Sequence, residues 1–196
     1  MTERLHAPAR EDIAELPEFP RLGLAAIHLV ATAADALAAE AALRGVTTLG
    51  FDTESKPTFT RGEVSDGPHV AQFATAREAW VFQLRDTECL RVAAALLESA
   101  EVRKVGFGLS GDMRQLRQRL GVEPKAVLDV DTIFRERGWR KEVGVKAAVA
   151  ILFGQRFIKS KKVATTNWAM PQLSAAQITY AANDAYAAIK VFEALE

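Results

Sequence analysis

The chain has 196 residues, 49% hydrophobic and 26% charged, enough to bury the core of one compact domain. Its 25 basic and 25 acidic residues cancel, which excludes a nucleic-acid partner gathered by overall positive charge, so any such partner must be held locally. There is no run of about 18 apolar residues, the N-terminus carries acids where a signal or transit peptide would not, and the single Cys89 excludes an internal disulfide; the expectation is a cytoplasmic enzyme with no membrane partner.

Residues 1–24 carry Pro8, Pro17 and Pro20 with little periodicity and read as an extended arm ahead of a domain over 25–196. Thr32 can cap an Ala-rich helix that runs to Arg44 and ends at Gly45. The apolar run Val46 to Phe51 then reads as a buried strand leading into Asp52-Thr53-Glu54. Beyond a loop with Pro57, Gly62, Gly67 and Pro68, Val70 to Ala74 and Trp80 to Leu84 read as two more strands, giving an antiparallel meander. The pattern next alternates. Asp86 or Thr87 caps a helix to Ser99, a short strand covers Lys104 to Phe107, and a helix opens near Gly111. Helices are expected at Asp131 to Arg137, capped by Asp131, and at Val145 to Phe153; a basic loop spans Gln155 to Asn167, and Ser174 caps a long final helix. The predicted fold class is α/β, a mixed β-sheet flanked by α-helices.

Asp52 and Glu54 are two apart on a strand, so both carboxylates project to one side. On the last helix Tyr180 and Asp184 are four apart, which stacks a phenol and a carboxylate on one face. Asp112 sits in the first turn of the helix that opens after Gly106-Phe107-Gly108-Leu109-Ser110-Gly111. Each feature alone has an ordinary structural explanation: an acidic strand end, an exposed helical acid, a helix cap. Together, four carboxylates on three elements are the donor set that two hard divalent cations, Mg²⁺ or Mn²⁺, require for phosphodiester hydrolysis. The same glycines also spell G-x-G-x-x-G with Asp129 and Asp131 about twenty residues on, a dinucleotide-site pattern. Asp112 argues against that alternative, because it would put a negative charge beside a bound pyrophosphate. Asp129 and Asp131 are left out of the metal site.

The ordered set Phe51-Asp52-Thr53-Glu54, Gly108-Leu109-Ser110-Gly111-Asp112 and Tyr180-Ala181-Ala182-Asn183-Asp184 resembles the three motifs of the DEDDy 3′-5′ exonucleases, of ribonuclease H-like fold. The stretch from Lys159-Ser160-Lys161-Lys162 through Asn167-Trp168 to Asp184 is similar to the exonuclease domain of the Werner syndrome protein, with ribonuclease D more distant. The resemblance implies that Asp52 bridges two metals, that Glu54 and Asp184 complete the site activating water, that Asp112 serves the second metal, and that Tyr180 orients the nucleophile. It implies a nucleic-acid substrate with a free 3′ end, DNA by preference, with RNA and a catalytically silent nucleic-acid-binding module as alternatives. Basic runs, Arg135, Arg137, Arg140 and Lys141, then Lys146, then Arg156 to Lys162, become candidate phosphate contacts, above all Lys159, Lys161 and Lys162. Phe59, Leu109 and Met113 are candidates to wedge against the terminal base, and Trp168 reads as a packing anchor. Oligomeric state stays open.

Overall fold

The computed structural model describes residues 5–58, 62–63, 65–139 and 141–196; Phe59 and Arg140 lie outside them. Among these the chain forms helix α1 (Arg10–Ala14), strand β1 (Ile27–Val30), α2 (Ala33–Ala42), β2 (Thr48–Glu54), β3 (Val70–Ala74), β4 (Ala79–Gln83), α3 (Thr87–Glu98) and β5 (Arg103–Gly106). It continues through α4 (Ser110–Gln115), β6 (Val127–Asp129), α5 (Asp131–Glu136), α6 (Val145–Phe153), α7 (Lys161–Ala164) and α8 (Ala175–Leu195). The six strands make one mixed sheet in the order β1-β4-β3-β2-β5-β6. The meander β2-β3-β4 is antiparallel, and β1, β5 and β6 join it by parallel pairings. No helix among the described residues is long and apolar enough to cross a membrane.

Alternation along β2 divides the molecule into two cores. Leu49 and Phe51 point to one face, where they pack with Phe73, Phe82, Val92, Leu97 and Leu116 under α2, α3 and α4. The opposite face carries Val70, Ala74, Ala79 and Val81 and receives Ala181, Ala185 and Ile189 of α8. Gly50, Asp52 and Glu54 share that second face by the two-residue period of a strand. Ser174 and Gln177 cap α8 reciprocally, which fixes where the helix starts. From there α8 crosses β1 to β5.

Two glycines set the close approaches. A Cβ on Gly50 would stand 1.9 Å from the Ala185 carbonyl oxygen, so the bare backbone lets α8 lie directly on β2. A Cβ on Gly106 would come within 2.4 Å of the Phe51 carbonyl oxygen. The G-x-G-x-x-G stretch therefore serves strand-to-strand packing and the turn into α4.

Some sequence expectations shift. The expected strand ending at Phe51 extends through Glu54, so the acidic motif lies inside β2, paired in register with β3. The expected cap at Asp131 is instead the first residue of α5; its Oδ1 accepts from the Val143 amide at 2.6 Å, tethering the next loop. Asp129 does the local capping, accepting from the amides of Asp131 and Leu109 at 3.2 Å each. The arm is docked on the domain through part of its length. Phe19 is buried against Phe153, Phe157 and Tyr186, its amide donates to the Arg156 carbonyl, and the Leu22 amide donates to Asn183 Oδ1 at 2.8 Å.

Gly50→Ala is expected to force α8 off β2 and destabilise the protein by about 2 to 3 kcal/mol, the cost of overpacking a tight core. Denaturant unfolding would measure it, and a midpoint equal to that of the parent would mean that the helix is not seated against this residue.

Candidate active site

The close seat of α8 on β2 brings three acids together. Asp52 and Glu54 on β2 and Asp184 on α8 place carboxylate oxygens within 4.8 Å of one another. Asp184 is 5% exposed, buried by the helix that carries it. Asp112 is not a member of this triad. It rises from α4 on the opposite face of the sheet, and its Oδ1 accepts a short hydrogen bond from the Thr53 hydroxyl. Because Thr53 alternates with Asp52 and Glu54, Asp112 is anchored from the far side of β2, yet its carboxylate lies near enough to the triad for its charge to raise both Asp52 and Glu54.

Like charges at this separation repel by on the order of 3 kcal/mol per pair even in a polarisable protein environment. The carboxyls therefore resist ionisation. Burial first, and then the Asp184 charge, push the Asp52 carboxyl up to about 8. Burial and the Asp52 charge push Glu54 up to about 9. Burial also raises Asp184, opposed by Lys159, and raises Asp112, opposed by the Thr53 hydrogen bond. Lys159 Nζ lies 2.7 Å from Asp184 Oδ2 and 5.5 Å from the centre of the Tyr180 ring. Burial disfavours its charge, yet Asp184 and Asp52 hold it protonated above the ordinary lysine range. Burial, then the Asp184 charge, raise the Tyr180 phenol, so at neutral pH it keeps its proton and can donate it in a hydrogen bond.

The donor set fits divalent cations of the hard class, which take oxygen ligands. Two observations support the fit. Asp184 is deeply buried and relies for charge balance on a cation, Lys159, whose Nζ lies 2.7 Å from its Oδ2. Gln72, directly across from Asp52 on β3, is fully buried with both amide atoms unpaired among the described residues. Such groups are costly to bury unless something bound over the cluster completes them. Gln72 was not legible as a site residue in the sequence, because glutamine in a strand carries no motif; its register opposite Asp52 is the only signal.

The other expected site residues are distributed as follows. Tyr180 lies one turn before Asp184, its ring 5.9 Å from Trp168, which is buried and donates from Nε1 to the Ala164 carbonyl at 3.1 Å. Lys161 and Lys162 are exposed on α7, whose start is capped by Ser160. Leu109 and Met113, 2% and 7% exposed, pack with Phe51 and Leu116 on the α4 side of the sheet. Phe59 lies outside the described residues.

A sequence profile described as 3′-5′ exonuclease matches residues 27–196. The chain belongs to the 3′-5′ exonuclease family. Within the DEDD superfamily it is similar to a 3′-5′ exonuclease of Arabidopsis thaliana, 27% identical over 154 residues that cover 78% of this chain and 54% of that protein. It is also similar to the mouse bifunctional 3′-5′ exonuclease/ATP-dependent helicase WRN, 24% identical over 75% of this chain and 11% of that protein. The match thus spans about half or less of either relative's length. Its fold is shared with the Nibbler EXO domain of Aedes aegypti (TM-score 0.76, 23% identity, 90% of each chain covered). A ribonuclease D of Trypanosoma brucei, solved with RNA U12, has a TM-score of 0.75 at 20% identity, over 94% of this chain and 64% of that one. Exonucleases of this family act on nucleic acid and typically use divalent metals, consistent with the acidic cluster.

The raised carboxyls fix a pH dependence. Between about pH 5 and 9 the folded, metal-free protein keeps protons on Asp52 and Glu54 that the unfolded chain has released, so stability falls as pH rises through that window. Thermal melts in chelator are expected to show this decline, Asp52→Asn/Glu54→Gln to flatten it, and Mg²⁺ to raise the midpoint most at the alkaline end. A melting temperature that climbs with pH in the parent, or the same slope in the double variant, would refute it.

Proposed function

We propose that the chain releases nucleoside monophosphates from the 3′ end of a nucleic-acid strand by a two-metal-ion reaction of the tyrosine branch, with DNA as the preferred substrate. The observation that carries this reading is the convergence of Asp52, Glu54 and Asp184 within 4.8 Å, with Tyr180 on the same helical face as Asp184. Asp52, Glu54 and Asp184 would hold one cation, and Asp52 with Asp112 the second. Bound Mg²⁺ or Mn²⁺ would supply an activated water and stabilise the charge that develops on the attacking and departing oxygens.

The chain's own residues do the rest. Tyr180, kept protonated by burial, donates a hydrogen bond that aligns the attacking water rather than removing its proton. Trp168 backs the phenol ring and limits its swing. Lys159, at the edge of the acidic cluster, neutralises carboxylate charge without metal and is placed to meet a substrate phosphate once cations replace it there. Lys161 and Lys162, exposed on the neighbouring turn, add sequence-independent phosphate contacts.

RNA is the second reading. It is favoured by the fold likeness to ribonuclease D proteins, one solved with RNA and another, from Escherichia coli, described as an exoribonuclease. The resemblance of the stretch from Lys159 to Asp184 to the Werner exonuclease domain favours DNA.

Time courses with 5′-labelled single-stranded DNA, recessed duplex and RNA test both. The expected result is a ladder shortening from the 3′ end that needs Mg²⁺ or Mn²⁺ and is abolished by Asp52→Ala or Asp184→Asn, with DNA degraded faster than RNA. Faster RNA degradation would reverse the substrate order, and well-folded protein that cleaves nothing with either metal would end the enzyme reading. Tyr180→Phe is expected to lower kcat roughly 10²-fold with little change in KM, because it misaligns a reacting group instead of removing a binding contact; a rise in KM at constant kcat would contradict that role.

A further inference from the structure

We propose that the N-terminal arm and the start of α6 form an accessory phosphate-binding cleft, which grips a backbone phosphate of the strand whose 3′ end enters the carboxylate site. The identity of the strand rests on the exonuclease reading; the cleft itself is defined by its own residues. It is a cavity of about 750 Å³ between α1 and α6, lined by Arg10 and Ile13 of the arm, Lys146 of α6, and Arg156, Phe157 and Lys159. Among the described residues, every charged one on its wall is a cation. In a chain whose charges cancel overall, that separation concentrates a local positive potential where an anion would be drawn in.

The four cations are not equivalent. Arg156 is structural, because it pairs with Glu18 at 3.1 Å and donates to the Ala14 carbonyl at 2.9 Å, which fixes the arm. Lys159 belongs to the carboxylate site, its Nζ beside Asp184, and so marks the inner end of the cleft. Arg10 and Lys146 are left. Their side chains are exposed and make no ion pair or hydrogen bond among the described residues, although the charge of Lys146 reaches Asp184 and helps to lower its carboxyl. The acids adjoining Arg10 on α1, Glu11 and Asp12, do not line the cavity.

The cleft adjoins the carboxylate site. Phe157 is shared with a smaller cavity of about 340 Å³ that Tyr180 and Asp184 line, and Lys159 joins the larger one to the acidic cluster. The ligand class follows from the lining. Phe157, the only aromatic ring on the wall among the described residues, is 4% exposed and offers no face for stacking a base. Exposed cations without an aromatic platform suit a phosphodiester oxygen and carry no base specificity.

The test compares the parent with Arg10→Ala/Lys146→Ala by fluorescence anisotropy of 5′-labelled single strands of about twelve nucleotides, in chelator so that nothing is cleaved. The double variant is expected to melt with the parent and to bind about tenfold more weakly. The slope of log affinity against log salt should fall in magnitude by about 1.4, about 0.7 for each lost contact on a single strand. Arg10→Lys/Lys146→Arg, which keeps both charges, should retain affinity, and a nucleoside monophosphate should compete equally against both proteins. Equal affinity and slope in parent and double variant would overturn the cleft while leaving the exonuclease reading intact, as would an equal loss for the monophosphate. A parent that binds strands but never shortens them would instead refute the exonuclease reading, and the affinity comparison would still decide the cleft.

Discussion

The Gly50 backbone and the Ala185 carbonyl touch where any side chain would intervene, and the positions of the reactive groups follow from that contact. Once α8 lies directly on β2, the residue before Ala185 is pressed toward Asp52 and Glu54, and the tyrosine one turn earlier follows it. The small side chains of Ala181, Ala182, Ala185 and Ala188 keep the helix low over the sheet along its length. Helix propensity favours alanine for its own reasons; here the lack of bulk matters as much.

That geometry creates an electrostatic problem which the surrounding residues relieve. Of the three acids forced together, Asp52 and Glu54 are pushed to hold protons at neutral pH, and Asp184 is met by a cation, Lys159, from the basic segment before α7. Asp112 is relieved differently, by the Thr53 hydroxyl on the other face of the same strand. Asn183, next to Asp184, binds both the amide and the carbonyl of Leu22, so the arm braces the helix beside its acidic residue. The folded state thus tolerates a locally unfavourable cluster because packing on both sides of the sheet leaves it little room to relax.

Much of this was legible in the sequence. The two-residue spacing of Asp52 and Glu54 and the four-residue spacing of Tyr180 and Asp184 specify shared faces without tertiary information. The meander and the capped final helix follow from equally local signals. What escaped depends on partners distant in the chain. The edge strands β1 and β6 are only four and three residues long, too short for a periodic signature. The docking of the arm rests on one buried phenylalanine and on bonds to Arg156 and Asn183, and composition reveals none of these. Leu109 and Met113 could have faced a base or the core, a choice that belongs to the direction of α4. The face on which Asp112 emerges is likewise set by the turn through Gly108 and by Asp129 holding the Leu109 amide.

The division of the interior into two cores has an evolutionary side. The triad acids and Tyr180 are set by the packing of α8, whereas Asp112 is carried by a helix seated in the other core and joined to them through a single threonine on β2. Drift in the residues under α4 can therefore slide one carboxylate relative to the other three without disturbing their mutual spacing. A lineage could in this way retune the position of the fourth carboxylate through substitutions that never touch the triad itself.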